Sequence, residues 1–294
     1  MSERFLEHFE HQEMEEKEKK PKQDKEITVT FIRHGESDYR DIQNVLKGGT
    51  HRDKTLLPDL NEKGIKNIRE KAQELLLGID KEKDLIVIWT SPELRAIGTG
   101  GIIEDVFREN GVMVIKNSEI SSLMEAQATP VGKLKMAPKR THKYFDLTKF
   151  SEEQTRDIED AKSVMENPDI PFGEAWRKFA GTEKFEDIET QEDSKKRFNR
   201  IVNGLFFLKK IMKPTDPDKK LRFICVVHED LPNEFLESVF GKGIINHKGL
   251  GNGETVELTI KSADGKDMVS AKHEGEKTEL VFDRKEREFI YHKK

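Results

Sequence analysis

Three apolar runs of strand length in this chain each break off at ionisable residues. Ile27–Ile32 (I-T-V-T-F-I) leads into Arg33-His34-Gly35. Asp84–Trp89 (D-L-I-V-I-W) leads into Thr90-Ser91-Pro92-Glu93-Leu94-Arg95, and Leu221–Val227 into His228-Glu229-Asp230. Runs of this length without polar alternation suit strands buried on both faces, as in a parallel sheet covered by helices. Helical periodicity between them makes the chain α/β. In such sheets ligands gather at the carboxyl ends of the strands, where this chain places its arginines and histidines.

The residue types narrow the chemistry. Arg33 offers a planar, always-charged fork that matches a phosphoryl group. His34 can act as a nucleophile or a base near neutral pH. Gly35 lets an anion approach the backbone. Ser91 can cap a helix and Pro92 suits its first position, so Arg95 falls in the opening turns, where the helix's positive end favours anions. Together these features point to phosphate chemistry.

The rest of the chain reads in order. Residues 1–26 form a charge-dense stretch expected to be a flexible tail, and residues 27–294 one domain. Asp38–Asp59 reads as a long loop, with His51 expected at the surface. Asn61–Leu77 is an amphipathic helix with Ile65, Ile68, Ala72, Leu75 and Leu76 on one face, Asn61 as its cap and Gly78 as its stop. Val112–Ile115 reads as a short strand. About 126–190 reads as a cap inserted over the site, with a basic run at Lys133–Lys143 that suits either a polyanionic substrate or a solvated face. Glu192–Met212 is a helix burying Phe198, Ile201, Val202, Leu205, Leu208 and Met212. A further helix starts near Pro232. Strand Thr255–Ile260 and a hairpin of Glu279–Phe282 with Glu288–Tyr291 close the chain, and Cys225 reads as a small core residue.

Composition removes some classes. A net charge of −5 argues against a broad nucleic-acid surface. No apolar run is long enough to span a bilayer, and the N-terminus lacks a signal peptide's apolar centre. Cys225 is the one cysteine, so no internal disulfide forms. A reducing, cytoplasmic setting is expected, with export by a route lacking a cleaved signal as the alternative.

The motifs resemble those of the histidine phosphatase superfamily, in its phosphoglycerate-mutase-like branch. Arg33-His34-Gly35-Glu36-Ser37 is similar to the family's R-H-G-[EQ]-S. Asp59-Leu60-Asn61 with Gly64 is similar to D-x-L-T-x-x-G, and Ser91-Pro92-x-x-Arg95-Ala96-x-x-Thr99 to S-P-x-x-R-A-x-x-T. Leu123-Met124-Glu125 falls where the family carries its acid, Val226-Val227-His228 resembles the second histidine's strand, and Gly253-Glu254 matches a late N-G-E turn. The chain departs from the pattern at Arg40, at Gly100 where alanine is common, and at Glu229 where this branch has glycine.

The resemblance implies a three-layer α/β/α fold with a mostly parallel central sheet, helices on both faces and a helical cap. It implies a phosphatase that hydrolyses a phosphomonoester through a phosphohistidine on His34. Arg33, Arg95 and His228 would hold the phosphoryl oxygens. Glu125 would be the general acid and base; Glu229 or Asp230 is the rival, since another branch takes its acid from the position after the second histidine. No metal or other cofactor is required. The partner would be a phosphorylated small molecule or phosphoprotein. A mutase or bisphosphatase acting on a sugar phosphate, or an inactive protein-binding member, are the alternatives; the arginine typical of glycolytic mutases is missing after His228, which favours hydrolysis.

Overall fold

In the computed structural model of the chain, the described residues are 26–37, 60–119, 190–211, 218–229, 231–242, 249–263 and 266–290. His51, Glu125, Asp230, the charged stretch 1–25, the basic run and the expected cap up to residue 189 lie outside them.

The apolar runs become adjacent strands. β1 (Ile27–Arg33) pairs in parallel with β4 (Lys220–Val227), and β4 with β2 (Asp84–Thr90), so β4 is sandwiched. β3 (Val114–Glu119) pairs in parallel with β2 at the edge of the eight-stranded sheet. On the far side of β1 the sheet continues antiparallel through β5 (Thr255–Ala263), β6 (Lys266–His273), β7 (Glu276–Asp283) and β8 (Glu288–Ile290). The expected parallel sheet thus carries an antiparallel extension, in the order β3-β2-β4-β1-β5-β6-β7-β8.

Side-chain alternation divides the core between the two faces. Ile32 of β1, Ile86 and Ile88 of β2, and Ile224 and Val226 of β4 pack beneath α1 (Glu62–Leu76) and α2 (Leu94–Glu109). Ile27, Val29 and Phe31 of β1 and Leu221, Phe223, Cys225 and Val227 of β4 face the other way, beneath α3 (Gln191–Ile211) and α4 (Asn233–Phe240). Helices on both faces make three layers. Cys225 is buried, as the strand reading expects. Among the described residues no helix is long and apolar enough to cross a membrane.

Four details differ from the sequence reading. Asn61 does cap α1, its side-chain oxygen accepting from Gly64 N at 2.7 Å, but Ile65 is 40% exposed. The buried stripe instead runs through Gly64, Ile68 and Ala72. A Cβ on Gly64 would fall 2.1 Å from Glu36 O, so the bare glycine lets the helix start press on the chain leaving β1. α2 starts at Leu94, with Glu93 at the N-cap position and no side-chain cap bond, so Ser91 is not its cap. β3 runs on into polar residues because an edge strand packs on one neighbour only. β6 is a strand that the sequence reading lacks; its buried apolar residues are only Val269 and Ala271, too sparse to mark a strand by alternation.

Candidate active site

Sheet order explains why distant residues meet. β2, β4 and β1 are neighbours, and their register sets Thr90 beside Val226 and Arg33 beside Val227. The chain therefore leaves all three tips at one level. His34 N donates to Val227 O at 3.0 Å and Ser91 N to Val226 O at 3.1 Å, which ties the exits together. The rings of His34 and His228 stand edge to face, with centroids 5.0 Å apart. Arg95, in the first turn of α2, reaches between them: its Nε donates to His34 Nε2 at 3.0 Å, and its Nη2 lies 3.3 Å from His228 Nδ1.

Hydrogen-bond logic assigns the tautomers. His34 Nδ1 lies 2.7 Å from Gly35 O, and a carbonyl can only accept. The proton therefore sits on Nδ1, which leaves the Nε2 lone pair to accept from Arg95. A guanidinium only donates, so His228 Nδ1 is the acceptor toward Arg95. His228 Nε2 then carries the proton and donates to Ser91 Oγ at 2.9 Å. Both rings are neutral. The His34 pKa is pushed down to about 3, first by burial and then by Arg95 and Arg33, against the bond to Gly35. His228 is held well below the usual histidine range, first by burial and then by Arg95, His34, Arg197 and Arg33.

Arg33 is held from two sides. Its Nη1 donates to Leu250 O at 2.7 Å and its Nη2 pairs with Glu229 Oε2 at 2.9 Å. The turn before β5 clasps its backbone: Gly253 N donates to Arg33 O and Arg33 N to Glu254 O, each at 3.1 Å. Asn252 Nδ2 reaches His34 O at 3.1 Å. Thr99, one turn after Arg95, donates to Arg95 O at 2.7 Å and accepts from Gly35 N at 3.0 Å, locking α2 to the tip of β1. Glu93 Oε2 lies 3.8 Å from Arg95 Nη1.

The structure thus brings Arg33, His34, Arg95 and His228 into one cluster and sets Glu229 against Arg33, while Glu125 lies outside the described residues. The contacts of Ser91, Thr99, Asn252 and Glu93 are ones the sequence reading does not assign. Thr99 and Asn252 carry a signal, since each lies within or beside a recognised motif. For Ser91, a helix cap calls for the same residue type. Glu93 has no signal beyond being a charge at a helix start. Among the described residues, no three His, Cys, Asp or Glu side chains converge to hold a metal ion.

No protein-family model and no curated protein matches the chain. Solved structures align with it. A protein named mycobacterial hydrolase 2 aligns at 18% identity over 82% of this chain and 84% of its own, with a TM-score of 0.46. A mycobacterial glucosyl-3-phosphoglycerate phosphatase aligns at 17% identity over 81% of this chain and 92% of its own, with a TM-score of 0.45. A phosphoglycerate mutase from Bacillus anthracis str. Sterne aligns at 16% identity over 90% of this chain and 96% of its own, with a TM-score of 0.43.

Proposed function

We propose that this chain is a phosphatase of the histidine phosphatase type, hydrolysing a phosphomonoester through a phosphohistidine on His34. One observation carries the reading: His34 spends its proton on Gly35 O and turns a bare Nε2 toward a buried guanidinium. A lone pair beside fixed positive charge is what attack on an anionic phosphoryl group needs.

In the proposed reaction, a phosphoryl group enters beside Arg95 and takes its donors from the two rings. His34 Nε2 forms the N–P bond while the bond to the leaving oxygen breaks. Arg33, Arg95 and His228 meet the charge that spreads over the phosphoryl oxygens. The leaving oxygen takes a proton from a general acid, and water then cleaves the N–P bond to give inorganic phosphate. Glu125 is our assignment for that acid, by its place in the motif order. Glu229 is the rival, but it meets Arg33 as a carboxylate and so suits an anchor or a base. The substrate class is a phosphorylated small molecule or phosphoprotein.

The test is hydrolysis of an aryl phosphate without added metal, comparing the wild type with His34→Ala. Turnover should fall about a thousandfold or more in the variant, because nothing else supplies the nucleophile. Brief incubation with labelled substrate followed by alkaline quenching should leave acid-labile phosphate on the wild type only. A variant that keeps wild-type turnover would end the proposal.

A further inference from the structure

In the resting cluster, both arginines that approach the His34 and His228 rings already face carboxylates. Arg33 pairs with Glu229 at 2.9 Å, and Arg95 has Glu93 at 3.8 Å. Both histidines are neutral by their hydrogen bonds. His228 is 1% exposed, with Nε2 donating to Ser91 Oγ and Nδ1 accepting from Arg95 Nη2. A phosphoryl oxygen that takes over the Arg95 donor would find a bare lone pair on Nδ1, and two acceptors facing each other repel.

We propose that a phosphoryl dianion binds together with one proton, taken from solvent onto His228 Nδ1, and that Ser91 is the positioning residue that keeps the ring's other proton on Nε2. This rests on the anion-binding reading above. The resulting imidazolium donates to the phosphoryl oxygen through Nδ1 and to Ser91 through Nε2, so both its protons are used. The groups facing His228 explain why the proton arrives only with the anion. Arg95 of α2, Arg33 of β1, His34 just past its end, and Arg197 of α3 all oppose its charging, on top of burial. Its own neighbour Glu229 is engaged by Arg33. A dianion beside the ring reverses that balance. Ser91 is 0% exposed and also accepts from Glu93 N at 3.3 Å, so it is a fixed acceptor rather than a surface hydroxyl.

Tungstate is the probe, because it stays a dianion across neutral pH and its own titration does not blur the proton count. Binding would be measured calorimetrically on the full chain in paired buffers of low and high ionisation enthalpy. The wild type should take up about one proton, and its affinity should fall about tenfold per unit rise in pH between the resting and bound pKa values of His228. His228→Gln should bind more weakly, with no uptake and a flat pH profile. Ser91→Ala should take up less than about half a proton, since the imidazolium's Nε2–H then has no acceptor. Circular dichroism of both variants checks that they are folded. Wild-type binding without uptake would overturn the inference and leave the anion pocket standing; it would mean that the ring exchanges tautomers and Ser91 turns its hydroxyl to donate. Uptake that persists in His228→Gln would overturn it too, by placing the proton elsewhere. No tungstate binding by the wild type would overturn the pocket and this inference together.

Discussion

The two halves of the sheet bury different things. The parallel half, β3-β2-β4-β1, carries at its tips His34, Ser91, Arg95, Thr99 and His228, all nearly inaccessible to solvent. The antiparallel half, β5 to β8, buries mainly apolar side chains on its inner face: Val256, Leu258, Ile260, Val269, Ala271, Leu280, Phe282 and Phe289. Burying a guanidinium and two imidazoles costs stability unless each finds a partner, and here they partner one another. On the proposed function the parallel half is arranged around chemistry, and the antiparallel half supplies packing and a clasp. It reaches the site through the turn before β5, whose backbone holds Arg33.

If that division is right, one substitution in each half should separate activity from stability. The larger effect belongs to the site. Arg95→Lys keeps the charge but loses the planar fork that reaches His34 and His228 together. Turnover on an aryl phosphate should fall about a hundred- to a thousandfold. The denaturation midpoint should move little, because the ammonium can still meet one ring. Near-wild-type turnover would mean that Arg95 serves the fold and that the two halves do not divide as described.

Phe289 of β8 gives the opposite case. It is 4% exposed, and its ring centroid lies 4.9 Å from those of both Phe235 and Phe282. These contacts belong to a run of aromatics that continues through Phe198 to Phe31 in β1. Phe289→Ala should cost about 3 to 5 kcal/mol by urea denaturation, while specific activity well below the midpoint stays close to wild type. A loss of activity in fully folded protein would mean that the aromatic run also positions the tips.

The same contrast explains what the sequence can reveal. β1, β2 and β4 are legible because strands buried on both faces leave unbroken apolar runs, and Arg33 and His34 are legible because they follow such a run directly. β6 is not, since its core face mixes Val269 and Ala271 with Asp267 and His273 and so offers too few apolar residues to count. Periodicity puts Ile65 on the buried face of α1, but it cannot tell which edge of an apolar stripe a close contact will favour; Gly64 against Glu36 decides it. Ser91 escapes assignment because an acceptor for a helix end and an acceptor for His228 look alike in sequence. The bond from Arg33 to Leu250 depends on a turn more than two hundred residues away, which the register of β5 on β1 brings within reach.

Gly100 offers the finest test of how tightly the chemical half is built. The motif that this segment resembles usually has alanine there, yet a Cβ at this point of α2 would lie 2.4 Å from Thr90 Cγ2. Thr90 is 1% exposed and ends β2, one residue before Ser91, so it has little room to yield. The two residues are complementary: a methyl on the strand fills the space that a methyl on the helix would take. Gly100→Ala should therefore cost about 1 to 2 kcal/mol, the overpacking penalty outweighing alanine's better helix propensity. Because the displaced element carries Arg95, turnover should fall several-fold with it. Thr90→Ser removes the opposing methyl, so the Gly100→Ala/Thr90→Ser pair should recover most of both losses, giving a coupling of about 1 kcal/mol in a double-mutant cycle. Additive effects would show that the helix can shift off the strand without strain, and that Arg95 is held by its hydrogen bonds rather than by this contact.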